Sequence, residues 1–174
     1  TVNLKSSYPA TIKGKQDIEI RPQVSGFITK LNIDEGSMVK KGQVLFVIDP
    51  VQYESAARAA KAAVATAKAN VSTQEITVKN KRELNKKNII SDYDLAMAEN
   101  SLAQTKAQLA QAKAQLTTAQ QNLSFTQVKS PSDGVINNIP YRVGALVSPS
   151  IATPMTTVSE IDEVYVYFLS LIHI

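Results

Sequence analysis

The sequence has no cysteine, no tryptophan and only one histidine, His173, among its 174 residues. Without thiols there are no disulfides, no thiolate nucleophiles and no cysteine-held metal sites. A lone histidine near the C-terminus gives no support to zinc binding or to imidazole acid–base chemistry. The six glycines are never closer than six residues apart, so no glycine-rich phosphate loop is present. Carboxylate pairs such as Asp34-Glu35, Asp92-Asp94 and Asp162-Glu163 fall at turns and helix starts, where acidic residues are ordinary. Neither catalysis nor a cofactor or metal is expected. No run approaches the roughly 18 apolar residues that span a bilayer. The N-terminus also lacks the basic start and apolar stretch of a signal peptide, so the chain is expected to be a soluble piece without leader or lipid anchor. The net charge of +4, from 19 basic and 15 acidic residues, is too small to argue for nucleic acid.

All six glycines and seven prolines lie at or before Pro50 or at or after Pro131, which leaves residues 51–130 free of both helix breakers. That window holds 17 alanines between residues 51 and 125, with many Gln, Lys and Glu, all good helix formers. Asp49 as N-cap, Pro50 at the first helical position and Gln52 at capping-box spacing predict a helix start. A helix from there to about Asn88 would be nearly 60 Å long at about 1.5 Å per residue, and so needs a partner.

The next segment supplies it. Leu95, Leu102, Leu109, Leu116 and Leu123 recur every seven residues. Ala98, Thr105, Ala112 and Ala119 follow three positions later, small enough for a second backbone to come close. Val64, Val71 and Val78, beside Ala60 and Ala67, form the matching stripe of the first helix. Two such stripes joined by a short turn predict an antiparallel coiled-coil hairpin. The turn is placed at residues 87–91, because Ser91 and Asp94 form a second capping box flanked by Ile90 and Leu95 as a hydrophobic staple.

Outside this window the pattern changes to short β-type runs at Ile18–Ile20, Val24–Ile33, Val44–Ile48, Val135–Ile139 and Val164–Phe168. The flanks share one spacing: Gly26 and Gly36 stand ten apart with Val39 three further on, as do Gly134, Gly144 and Val147. The four glycines are read as turns. Half-domains this small cannot bury an apolar face alone, so the two copies are expected to pair into one β sandwich or barrel with the hairpin inserted between them.

The stretch Glu35 to Leu45 (Glu-Gly-Ser-Met-Val-Lys-Lys-Gly-Gln-Val-Leu) resembles the half-motif of lipoyl and biotinyl domains. Where the carriers of that superfamily hold their acceptor lysine, this sequence has Asp49, Pro50, Val51 and Gln52, followed by the hairpin. Glu19 to Ile28 (Glu-Ile-Arg-Pro-Gln-Val-Ser-Gly-Phe-Ile) and Val128 to Gly134 (Val-Lys-Ser-Pro-Ser-Asp-Gly) are similar to the two boundaries of the lipoyl halves in periplasmic adaptors, the membrane-fusion subunits of resistance-nodulation-division (RND) multidrug efflux pumps. The resemblance implies an α+β fold, a split lipoyl/biotinyl-like β sandwich interrupted by a long helical hairpin. Residues 18–49 would be the first half, 50–127 the hairpin and 128–160 the second half. Residues 1–17 and 161–174 would be edges of an incomplete β barrel, and Leu171–Ile174 do not continue its strand.

The resemblance also implies a function. An adaptor of this kind stands in the periplasm, anchored to the inner membrane in the full-length protein. It joins an inner-membrane efflux transporter to an outer-membrane channel and assembles as a homo-oligomeric ring, a hexamer in the complete pump. In the family an Arg, a Leu and a Ser near the tip contact the channel. Here Leu84 and Ser91 keep the seven-residue separation, Asn80 takes the Arg position, and Lys79, Lys81 and Arg82 are close in sequence. Residues 79–87 hold five basic residues against one acid, Glu83. That cluster fits either a solvated face or a docking patch, and Ser91 fits a plain helix cap as well as a contact. Leu84, Ser91, Arg82, Lys81 and Ile90 are thus the candidate docking residues, and Gly26, Ser132 and Gly134 candidate flexible linkages. Other readings are an adaptor of an ABC-type or major-facilitator exporter, a lipoyl or biotinyl carrier, for which no acceptor lysine is available, and a leucine-zipper DNA binder, which the predicted antiparallel turn disfavours.

Overall fold

The computed structural model describes residues 10–14, 17–160 and 164–168. In chain order the elements are β1 (Ala10–Gly14), β2 (Asp17–Ile20), β3 (Gly26–Leu31), β4 (Met38–Val39), β5 (Val44–Ile48), α1 (Val51–Lys86), α2 (Asp92–Phe125), β6 (Gln127–Lys129), β7 (Gly134–Ile136), β8 (Leu146–Val147), β9 (Thr156–Ser159) and β10 (Val164–Phe168). The chain divides into two units: Pro50–Phe125, and the segments before and after it together. The hairpin thus ends at Phe125 rather than residue 127. Thr126 is buried in the β unit, and Gln127 opens β6.

The β unit follows from the repeat. Its sheets run β2-β9-β7-β4 and β6-β5-β3-β8, four strands each, while β1 and β10 form a separate antiparallel pair. Each half completes the other. β3 of the first half pairs with β8 of the second, Gly26 opposite Val147, and β7 of the second pairs with β4 of the first, Gly134 opposite Val39. Loop hydrogen bonds repeat the symmetry. The Gly36 N–H donates to the Ile136 carbonyl and the Gly144 N–H to that of Ile28, both at 2.8 Å, and the Ile136 and Ile28 amides donate to Ser37 and Ala145, both at 3.0 Å. Alternating inward residues of both halves then build one core, with Ile28, Phe46, Ile48, Ile136, Met155 and Val158 all fully buried.

The four glycines of the repeat divide into two pairs, and only one pair forms turns. Gly36 and Gly144 have φ of 77° and 90°, the left-handed region that favours glycine, with open space around them. Gly26 and Gly134 instead begin strands. A Cβ on Gly26 would stand 2.6 Å from Ile48 Cγ2, and one on Gly134 would stand 2.5 Å from the Ser159 carbonyl oxygen. They let β3 and β7 close on their neighbours, so the reading of these two as turns, or as flexible linkages, is corrected. Ser132, the third proposed linkage, is tied by its carbonyl, which accepts a 2.7 Å hydrogen bond from Ser130 Oγ. Arg21 fastens the far loop: its guanidinium donates to the carbonyls of Ile151 (2.7 Å) and Ala152 (3.4 Å) and pairs with Glu19.

In the hairpin unit, α1 begins one residue later than the capping pattern predicts. Pro50 rather than Asp49 is the cap residue, and the Pro50 carbonyl accepts the first helical bond from Glu54 N–H at 2.8 Å. The seam of α1 alternates steps of four and three from Tyr53 through Val64, Val71 and Val78 to Asn85, all at least half-buried. The α2 seam runs in the same rhythm from Leu95 to Leu123. The most buried seam residues are Val71, Val78, Ala98 and Ala112, while all five leucines stay half-buried. The alanines sit directly under the partner backbone, but a two-helix ribbon has no third layer to cover the longer leucines. Two cross-helix ion pairs, Arg82–Glu99 at 2.6 Å and Glu75–Lys106 at 3.1 Å, read out the antiparallel register.

Because a Cβ on Gly134 would meet three atoms, two of them backbone, and one on Gly26 a single methyl of the fully buried Ile48, the Ala substitutions should differ. Gly134→Ala is expected to lower the unfolding free energy by about 2–3 kcal/mol and Gly26→Ala by less, within the usual range for overpacking. Urea denaturation followed by tryptophan-free near-UV signals and circular dichroism measures both.

Candidate docking tip

The turn between the helices is built by three side chains. Asn88 adopts φ 57°, the left-handed conformation that ends many helices, and asparagine tolerates it better than most residues. With it come the two closing bonds of a Schellman motif: Ile89 N–H to the Leu84 carbonyl at 3.0 Å and Asn88 N–H to the Asn85 carbonyl at 2.8 Å. Asn85 then ties the loop from inside, its Nδ2 donating to Asp92 Oδ1 at 2.9 Å and to the Ile90 carbonyl at 3.3 Å.

Ser91 caps α2 reciprocally. Its Oγ accepts from the Asp94 N–H at 3.2 Å and donates to Asp94 Oδ2 at 2.7 Å, while its own N–H reaches the same carboxylate oxygen at 3.4 Å. These Ser91 hydrogen bonds, with a smaller contribution from the charge of Lys81, hold the Asp94 carboxyl below its ordinary pKa. Glu83 is likewise held below its ordinary value, first by the hydrogen bond and charge of Lys86 at 2.8 Å and then by Lys79 and Arg82.

This geometry sorts the candidate residues. Leu84 and Ser91 both reach the surface. Arg82 is engaged with Glu99, and Lys86 with Glu83. Lys81 occupies a half-buried seam position beside Asp94. Among the described residues, Lys79, Lys81 and Lys87 of the cluster are in no ion pair, although Lys79 lies near Glu83 and Lys81 near Asp94. Ile90 is half-buried, as its staple position requires, whereas Ile89 projects with 63% of its surface exposed. Sequence reading missed Asn85 entirely, and also Tyr93, which is 72% exposed, with Met97 one turn further along α2. Their spacing of four in the first turns of a helix is the signal that would have found an exposed apolar pair.

No group of three or more His, Cys, Asp or Glu among the described residues is placed to hold a metal. None of their helices is long and apolar enough to cross a membrane.

Residues 16–159 match the family described as "RND MFP, barrel-sandwich hybrid domain". The chain belongs to this family of membrane fusion proteins. This RND membrane fusion chain is 36% identical over 166 residues to multidrug resistance protein MdtE of Escherichia coli (strain K12), covering 95% of itself and 43% of that protein. It is 36% identical over 167 residues to multidrug efflux pump subunit AcrA of the same strain, covering 42% of it. With multidrug resistance protein MexA of Pseudomonas aeruginosa it shares 34% over 166 residues, 40% of that protein. It thus spans less than half the length of these curated relatives. Among solved structures, MacA from Actinobacillus actinomycetemcomitans superposes with a TM-score of 0.68 and 27% identity over 90% of this chain and 53% of that one. The membrane fusion protein Spr0693 from Streptococcus pneumoniae R6 reaches 0.70 at 22% identity over 90% and 67%, a likeness of fold.

For the RND membrane fusion tip itself, Ser91→Ala should cost about 1 kcal/mol of hairpin stability, the usual worth of an N-cap. Asn88→Gly should be tolerated, whereas Asn88→Val should cost about 1–2 kcal/mol. Because the folded pKa of Asp94 is depressed, its contribution is present above the ordinary Asp pKa and is lost as pH falls below about 4 through the depressed value. An acid titration of helicity should show this loss, and Asp94→Asn should remove that part of the acid dependence.

Proposed function

We propose that this chain is the hairpin and lipoyl-like part of a periplasmic adaptor that links an inner-membrane RND efflux transporter to an outer-membrane channel, with the hairpin tip as the channel-docking end. In this reading the full-length protein is held at the inner membrane, copies surround the transporter as a ring, and the protein works without chemical turnover by joining and sealing a conduit. Membership of the RND membrane fusion family supports this most directly, together with relatives named as a multidrug efflux pump subunit and as multidrug resistance proteins. The path of the chain supports it too. β5 ends at Ile48 and α1 starts at Val51, so the stretch where a carrier would display its lysine passes directly into a helix.

The tip is suited to the role because it is ordered before it meets anything. The Schellman turn, the Asn85 ties and the Ser91 cap hold Leu84, Ile89 and the Ser91 hydroxyl in fixed places, so little conformational entropy is lost on docking. Lys79 and Lys87 would act at longer range, favouring approach to acidic or carbonyl-rich surfaces.

The direct test is disulfide trapping of Ser91→Cys against cysteines in the lower mouth of the cognate channel. A crosslink is expected in a working pump, and none in a working pump sinks the tip assignment. In a second measurement, Lys79→Gln combined with Lys87→Gln should slow complex formation several-fold and flatten its salt dependence, with Arg82→Gln having a smaller effect because Glu99 already neutralises it.

A further inference from the structure

The two flanks of the hairpin differ in chemistry. On one side of the α1 seam the heptad positions are Ala56, Ala63, Asn70, Thr77 and Leu84, without a charge. On the other they are Glu54, Lys61, Lys68, Glu75 and Arg82. The pairs Arg82–Glu99 and Glu75–Lys106 place this charged flank beside Glu99, Lys106 and Lys113 of α2. One face therefore carries a ladder of charges with a rung every seven residues.

Two rungs are complementary and the third is not. One heptad further from the tip on each helix, Lys68 comes level with Lys113, and among the described residues neither is in an ion pair. A further heptad sets Lys61 level with Gln120. These two line an open groove of about 390 Å³ together with Arg58, Leu116 and Leu123. The leucines are the half-buried seam residues that a two-helix ribbon leaves uncovered. The groove therefore has an apolar floor and a rim in which Arg58 and Lys61 face one acid, Glu54, and Lys68 and Lys113 continue the same face one heptad nearer the tip.

A trough between two helices with an apolar floor is the shape that receives a third helix, and cationic rims select one with acidic flanks. A second copy of this hairpin does not fit: its charged face has the same positive excess, and its other flank offers no carboxylate at these positions. We propose that the tip-distal half of this face binds an acidic amphipathic helix of a partner protein. Apolar side chains of that helix lie on Leu116 and Leu123, and its Asp or Glu carboxylates take Lys61, Lys68 and Lys113. From residue 58 to 68 the surface runs about 15 Å, three turns of such a helix. The site is separate from the tip and stands whether or not the tip docks to a channel.

Fluorescence anisotropy on the whole chain tests it, using three labelled peptides of about 18 residues that share one leucine heptad and carry flanking glutamate, glutamine or lysine. The glutamate peptide should bind, more weakly as salt rises, and the other two at least about tenfold more weakly. Lys68→Glu with Lys113→Glu should weaken the glutamate peptide about tenfold or more and gain binding of the lysine peptide, an exchange that a misfolded variant cannot produce. Equal binding of the glutamate and glutamine peptides overturns the proposal, as does unchanged binding by the double variant. Preference for phosphatidylglycerol vesicles over the peptide would assign the surface to a membrane and overturn it as well.

Discussion

β5 and β6 are hydrogen-bonded neighbours, and the rest of the architecture depends on that pairing. Phe46 pairs with Val128 and Val47 with Gln127, and the Ile48 N–H donates to the Thr126 carbonyl at 2.8 Å. The chain must therefore leave the β unit and come back at the same place. Any helical insertion there has to be a hairpin with legs of nearly equal length, and α1 and α2 have 36 and 34 residues. The constraint is itself a product of the repeat, since neither half has all the strands of a sheet until the other supplies both edge strands, β2 and β4 or β6 and β8. Folding of the β unit thus needs both ends of the insertion, and a hairpin, held by local contacts along its length, brings them together at small entropic cost.

Much of this was legible because the relevant signals are local. The window free of glycine and proline, the leucine heptad and the Ser91–Asp94 box each speak about neighbours within a few turns, and the helices and tip lie where they point. The shared spacing of Gly26–Gly36 and Gly134–Gly144 announced a repeat, but spacing cannot tell a turn from a close approach. That is why Gly26 and Gly134 were misread: their demand comes from Ile48 and Ser159, residues distant in sequence. The exchange of edge strands between halves was hidden for the same reason. At the tip, Arg82 looked available until the antiparallel register brought Glu99, seventeen residues away, against it. Asn85 was silent because its partners, Ile90 and Asp92, become neighbours only after the chain has turned. His173 and the terminal Leu171–Ile174 lie outside the described residues.

Seam packing and turn hydrogen bonds, rather than charge, hold the hairpin in register. The cross-helix pairs Arg82–Glu99 and Glu75–Lys106 have side chains about half exposed, and exposed pairs of this kind contribute roughly 0–1 kcal/mol each. Slipping one helix by a turn would instead move Ala98 and Ala112 off the partner backbone and put larger residues there, opening the close approach along the ribbon. The tip cannot absorb such a slip, because the Asn88 turn and the Ser91 cap leave no spare residue between Lys87 and Asp92. Register is thus set twice, by small residues along the seam and by a closed turn at its end.

The same design explains why the hairpin offers surfaces instead of hiding them. Two helices can bury a stripe of alanine and valine between them, but leucines at every seventh position reach past the edge of so thin a ribbon, and their remaining apolar area stays in water. A globular domain would cover them with a further layer. Here the charge pattern decides where such a layer could come from: on the flank where the leucines emerge, the ladder alternates sign near the tip and is mostly positive beyond Glu75, with Glu54 as its one acid. An added helix is therefore admitted only if it carries acid, while the uncharged flank, lined by Ala56, Ala114 and Ala119 with Gln111, Gln115 and Asn122, imposes no such selection by charge. The hairpin is in this sense an incomplete bundle whose missing layer is specified by the rim around the gap.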